Sequence, residues 1–60
     1  MSEVTETIER VNSSHLPGRA MTATELMQAA TILDAAPDKT VPGFATARKR
    51  VEGQLEELGY

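Results

Sequence analysis

Residues 22–37 read Thr22-Ala23-Thr24-Glu25-Leu26-Met27-Gln28-Ala29-Ala30-Thr31-Ile32-Leu33-Asp34-Ala35-Ala36-Pro37. Thr22 and Glu25 stand three apart immediately before an apolar run, the spacing of a capping box. The threonine hydroxyl accepts from the Glu25 amide while the carboxylate reaches back to the Thr22 amide. Met21 and Leu26 occupy the positions of a hydrophobic staple around that box. Leu26, Ala29, Ala30 and Leu33 recur at helical spacing, and Ala23, Met27, Ile32 and Ala36 widen the stripe. The polar face is narrow, mainly Thr24, Gln28 and Thr31. A helix so apolar around its circumference is ordinarily buried on more than one side, which predicts a central position in the fold. Pro37 pushes Ala36 into extended geometry and ends the helix near Ala35.

On either side the helical period continues. Upstream, Met1, Val4, Ile8 and Val11 step by three, four and three, whereas strand alternation would pair Val4 with Glu6 and Ile8 with Arg10. Ser2 can cap this first helix and Glu6–Arg10 is a favourable i,i+4 pair, although the branched side chains of Val4, Thr5, Thr7, Ile8 and Val11 lower its intrinsic propensity. Leu16-Pro17-Gly18-Arg19 then fits a type II turn. Downstream, a helix is expected from Val41 or Pro42, capped by Thr40, with Phe44, Ala47, Val51, Leu55 and Leu58 as its stripe and Gly59 closing it. Gly53 falls on the side away from Val51. The expected fold is therefore all-α: one small three-helix domain over residues 1–60, with helices at roughly 2–13, 22–36 and 42–58.

Composition limits that fold. Of the 24 apolar residues, eight are alanines and only twelve are Leu, Ile, Val or Phe, so the core is thin or is completed by a second copy of the chain. With no cysteine there is neither a disulfide framework nor a thiolate metal site. No apolar run approaches a membrane span, and the acidic, polar opening Met1-Ser2-Glu3 is unlike a signal peptide, so the expected compartment is the cytoplasm. The formal net charge is −3, and neither half of the chain is basic, which disfavours extensive nucleic-acid wrapping.

The chemistry-bearing residues are sparse. Ser13-Ser14-His15 sets a hydroxyl beside an imidazole in sequence only, and catalytic pairs are made by spatial geometry with an orienting carboxylate and an oxyanion hole. One histidine cannot anchor a typical transition-metal site, and Pro17-Gly18 and Pro42-Gly43 are lone turns, not a phosphate loop. The sequence thus predicts no enzyme, no cofactor, no metal and no small-molecule substrate.

Arg48-Lys49-Arg50 is the strongest charge cluster, although on a helix its members diverge by about 100° each. Arg48–Glu52 reads as an i,i+4 pair. The cations stand in the first half of the helix and Glu56 and Glu57 in its last turn, the reverse of what the helix dipole favours. Charge placed against local stability hints that a partner reads it. Met27 and Ile32, on the two shoulders of the second helix, are the apolar candidates for exposure. Met27, Ile32, Arg48, Lys49 and Arg50 are therefore the predicted partner-binding residues.

The second helix, a connection, and Thr46-Ala47-Arg48-Lys49-Arg50-Val51 running to Leu58-Gly59-Tyr60 resemble the helical pair of helix-turn-helix regulators over about 35 residues. The second helix of those regulators often reads hydroxyl, basic cluster, leucines, glycine. The resemblance implies that Thr46, Lys49 and Arg50 face DNA. The chain departs from the pattern in its connection, which is longer than usual and holds Pro37 and Pro42. The residues themselves favour a different function: a small non-catalytic module, acting as a stoichiometric inhibitor, adaptor or assembly factor, that docks on another protein or on its own copy through apolar helical surface. Brevity and acidity suit a viral accessory protein as well as a cellular one.

Overall fold

A computed structural model describes residues 2–60, so the expected role of Met1 in the first stripe lies outside the described residues. The order is α1 (Glu3–Asn12), α2 (Ala23–Ala35) and α3 (Phe44–Glu57), with no strand among the described residues. Each helix packs against the other two. The all-α three-helix fold is thus as the periodicity requires.

The first two helices start where their caps dictate. Ser2 Oγ accepts from the Thr5 amide at 3.1 Å, and the Thr7 hydroxyl turns back onto Glu3 O at 2.8 Å, which leaves Thr7 buried without an orphan donor. At α2 both halves of the capping box are made: the Glu25 amide donates to Thr22 Oγ1 at 3.2 Å and the Thr22 amide to Glu25 Oε1 at 3.0 Å. Between them Gly18 takes φ 76° and the Arg19 amide donates to Leu16 O at 3.1 Å, the geometry of the expected type II turn. Ala36 is extended (φ −62°, ψ 128°), as Pro37 demands, and α2 stops before it. No basic residue stands in the last turn of α2. Lys39 folds back from the connection to serve there, its Nζ donating to Leu33 O and Asp34 O at 3.2 and 3.0 Å and lying 5.4 Å from the Phe44 ring centroid.

The start of α3 differs from the sequence expectation. Thr40 does not cap it: its amide and hydroxyl both donate to Asp38 Oδ1, at 2.8 and 2.6 Å, which closes a turn inside the connection. The helix begins at Phe44 behind Gly43, which has φ 83° and supplies no side-chain cap. The local cause is a turn over Val41-Pro42-Gly43-Phe44, with Gly43 in type II geometry and the Phe44 amide donating to Val41 O at 3.0 Å, so the helix starts only after it. A Cβ on Gly43 would also come to 3.0 Å from Asn12 Nδ2 and 3.1 Å from Ile8 Cγ2, so α1 lies directly against the entry to α3. Asn12 Nδ2 donates to Gly43 O at 3.4 Å across this junction. At the other end Gly59 (φ 89°) allows a full Schellman closure, with the Tyr60 amide on Leu55 O at 2.9 Å and the Gly59 amide on Glu56 O at 3.0 Å.

The core consists of Ile8 and Val11 from α1; Leu26, Ala29, Leu33 and Ala36 from α2 and its cap; and Phe44, Ala47 and Val51 from α3. Val4, Met21, Ala30, Val41 and Leu55 pack around it, half-buried. Two expectations are corrected by this arrangement. Helix α2 is not central: its buried residues form one face, while Met27 and Ala35 are exposed. Three helices meeting in a triangle give each only one inward face, so the wide apolar girth of α2 exceeds what its neighbours can cover. Leu58 is not core either; it is the C-cap residue of α3 and 54% exposed, one turn beyond Leu55, the last residue of the helix packed against the core.

Gly43→Ala is expected to destabilise the protein by about 2 kcal/mol, combining left-handed strain with the clash on Asn12 and Ile8. Urea unfolding followed by circular dichroism measures it, and a loss under about 0.5 kcal/mol would contradict the junction described here.

Candidate protein-docking surface

The five predicted partner-binding residues fall in separate places. Met27 and Ile32 lie about 140° apart around α2, on opposite flanks of its buried face; Met27 is 40% exposed and Ile32 half-buried. Arg48 is engaged within the chain: Nη2 is 2.8 Å from Asp34 Oδ1, and Nε is 3.7 Å from Glu52 Oε1, the i,i+4 pair expected from sequence. Lys49 and Arg50 are exposed, as is Thr46. No single surface contains all five.

Exposed apolar surface also comes from residues the sequence reading treated otherwise. The Asp34–Arg48 pair joins the last turn of α2 to the first half of α3. Ala30, Leu33, Val51 and Leu55, together with the charged Asp34, Arg48 and Glu52, line a small groove of about 100 Å³ along the seam between them. Towards the start of α2 the next residue on that flank is Met27, one turn before Ala30; towards the end of α3, Leu58 follows Leu55. The Schellman closure folds Tyr60 back onto this last turn. The loop after α1 is held to α3 by a buried tie: Ser14 Oγ accepts from Gln54 Nε2 at 2.9 Å while donating to Val11 O at 2.6 Å. Two residues further on stands Leu16. The large exposed apolar side chains among the described residues are Leu16 (48%), in the loop that Ser14 ties to α3, Met27 (40%) on the flank of α2, and Leu58 (54%) and Tyr60 (71%) at the end of α3. Of these, sequence reasoning singled out only Met27. Leu16 stood inside a turn, Leu58 was assigned to the core stripe and Tyr60 to a tail; helical periodicity alone carries no signal of how far along α3 its neighbours reach.

The polar groups are occupied elsewhere. The Ser14 hydroxyl is held by Val11 and Gln54, and His15 is exposed beside it. A cleft of about 900 Å³ opens between α1, the turn at Gly18–Met21 and Pro42, and its charged lining includes Glu6, Glu9, Arg10, Arg19 and Glu25. Within it Arg10 Nη2 meets Glu25 Oε2 at 2.6 Å, so Arg10 pairs across to α2 and not with Glu6 on its own helix. The Glu25 carboxyl is held below its ordinary value of 4.5, first by the Thr22 amide and hydroxyl and then by Arg10. Asp38 is likewise lowered by the hydroxyl and amide of Thr40. Among the described residues no group of three His, Cys, Asp or Glu side chains is placed to hold a metal ion. No helix among the described residues is long and apolar enough to cross a membrane. Compared with known protein families, with curated proteins and with solved structures, the chain matches none.

A carboxyl whose pKa is depressed by folding contributes stability above its unfolded value and loses that contribution as pH falls through the lower folded value. Glu25 should therefore stabilise the protein above about pH 4.5 and progressively less below it. Thermal melts of Glu25→Gln between about pH 3 and pH 6 are expected to show a shallower pH dependence than the unsubstituted chain, and parallel curves would contradict the role assigned to this carboxylate.

Proposed function

We propose that this protein is a non-catalytic cytoplasmic binding module that docks on another protein through apolar surface to which Leu16, Met27, Leu58 and Tyr60 contribute, acting as an inhibitor, adaptor or assembly factor. The supporting observation is that these four large apolar side chains are exposed in a chain with little apolar residue to spare. A 60-residue protein that holds only twelve Leu, Ile, Val and Phe residues leaves two of the leucines, with a methionine and a tyrosine, in water, where contiguous apolar surface marks interaction sites. Tyrosine and methionine suit such a role, the one for amphipathic contact area and the other for adaptable packing. The Ser14 and Gln54 side chains act as structural ties, which favours binding over catalysis.

A second reading, a DNA-binding regulator, draws on the exposure of Thr46, Lys49 and Arg50 on the outer face of α3. Glu56 and Glu57 share that face and would repel phosphates, so the reading is less favoured.

Replacing Met27 and Leu58 together by serine removes apolar area from the proposed surface without opening the core. The melting temperature should change by only a few degrees. Affinity for a partner recovered with the tagged protein from its native host should fall about tenfold or more, as measured by titration of the purified pair. Undiminished affinity in a folded double variant would overturn the reading.

A further inference from the structure

The outer face of α3 carries a charge pattern that no contact within the chain uses. At its centre is Gly53, exposed, with no atom within 4 Å of where a Cβ would stand, so packing within the monomer does not require a glycine there. Lys49 and Arg50 precede it by four and three residues; Glu56 and Glu57 follow it by three and four. At 3.6 residues per turn all four lie within about 60° of the Gly53 direction, Lys49 and Glu56 on one side of it and Arg50 and Glu57 on the other. All four are exposed, and the ion pairs among the described residues involve none of them. The order is also unfavourable for the helix dipole, with cations toward the N-terminus and carboxylates in the last turn.

We propose that this face binds a second copy of the chain, the two α3 helices lying antiparallel across a two-fold axis at Gly53. In that arrangement a residue some 6 Å before Gly53 along one helix stands level with a residue the same distance after it on the other. The symmetry keeps each side of the face together, so Lys49 meets Glu56 of the second copy and Arg50 meets Glu57 of the second copy, each pair occurring twice. A parallel pairing would set like against like, so the pattern selects both the partner and its direction. Gly53, with no side chain, lets the two backbones approach closely at the crossing. The interface is small and polar, so the dimer is weak and loosens with salt. It lies on the side of α3 away from Leu55 and Leu58 and is independent of the docking surface proposed above.

Sedimentation equilibrium of the full chain at low and high salt tests this, with circular dichroism confirming that each variant remains helical. The unsubstituted chain should dimerise reversibly at low salt. The doubly reversed variants Lys49→Glu/Arg50→Glu and Glu56→Lys/Glu57→Lys should each self-associate about tenfold more weakly or not at all. Mixed together, those two variants should form a heterodimer, and the fourfold exchange should restore the homodimer. Three results would overturn the proposal: a monomer up to about 1 mM at low salt, a mixture of the reversed variants that stays monomeric, or a monomer that binds duplex DNA through Lys49 and Arg50.

Discussion

Ordering the backbone of each residue costs on the order of 1–2 kcal/mol, and this chain has nine core side chains, three of them alanine, with which to offset it. No helix holds enough apolar surface to stand alone: α1 contributes Ile8 and Val11, and α3 contributes Phe44, Ala47 and Val51. Isolated helices of 10 to 14 residues are marginal in water, so each of the three depends on the other two being in place. Val11, Leu33, Ala47 and Val51, from three different helices, are sealed from solvent to 1% or less, and this shared contact is where the three stripes meet.

A core this thin puts weight on the polar connections. The Ser2 and Thr22 caps, the Lys39 ammonium at the end of α2 and the Ser14 hydroxyl on Val11 O satisfy groups that the helix ends leave open, while the Asp38–Thr40 turn and the Ser14–Gln54 tie order the connections. Two of them do more than satisfy donors. Lys39 pins the connection over Phe44, and Ser14 draws the first loop against the end of α3. The second of these holds the loop that carries exposed Leu16 against α3 through one serine hydroxyl.

Most of the fold was legible because it is written in local chemistry. The capping box of α2, the Pro37 stop, the turn at Pro17-Gly18 and the Gly59 closure are short-range signals that the chain obeys. The start of α3 was misplaced because Thr40 is as good a cap by composition as any, and the Pro42-Gly43 turn that delays the helix to Phe44 was set inside its first turn; the packing of Ile8 and Asn12 against Gly43, from a helix thirty residues away, was not legible. The rescue of the α2 C-terminus by Lys39 and the pairing of Arg10 with Glu25 are of the same long-range kind. The candidate surface suffered most. Helical periodicity places Leu58 on the inner side of α3 correctly, yet says nothing about whether a neighbour reaches that far, and three helices of unequal length leave that end uncovered.

The account rests on mutual support among the helices, and native-state hydrogen exchange reads that directly. The buried-face amides of Ile8 and Val11, of Ala29 and Leu33, and of Ala47 and Val51 should open with one common free energy equal to that of global unfolding. If instead the α1 amides exchange orders of magnitude faster than those of α2 and α3, the α2–α3 pair stands without the first helix, and the three-way closure is not what holds this protein together.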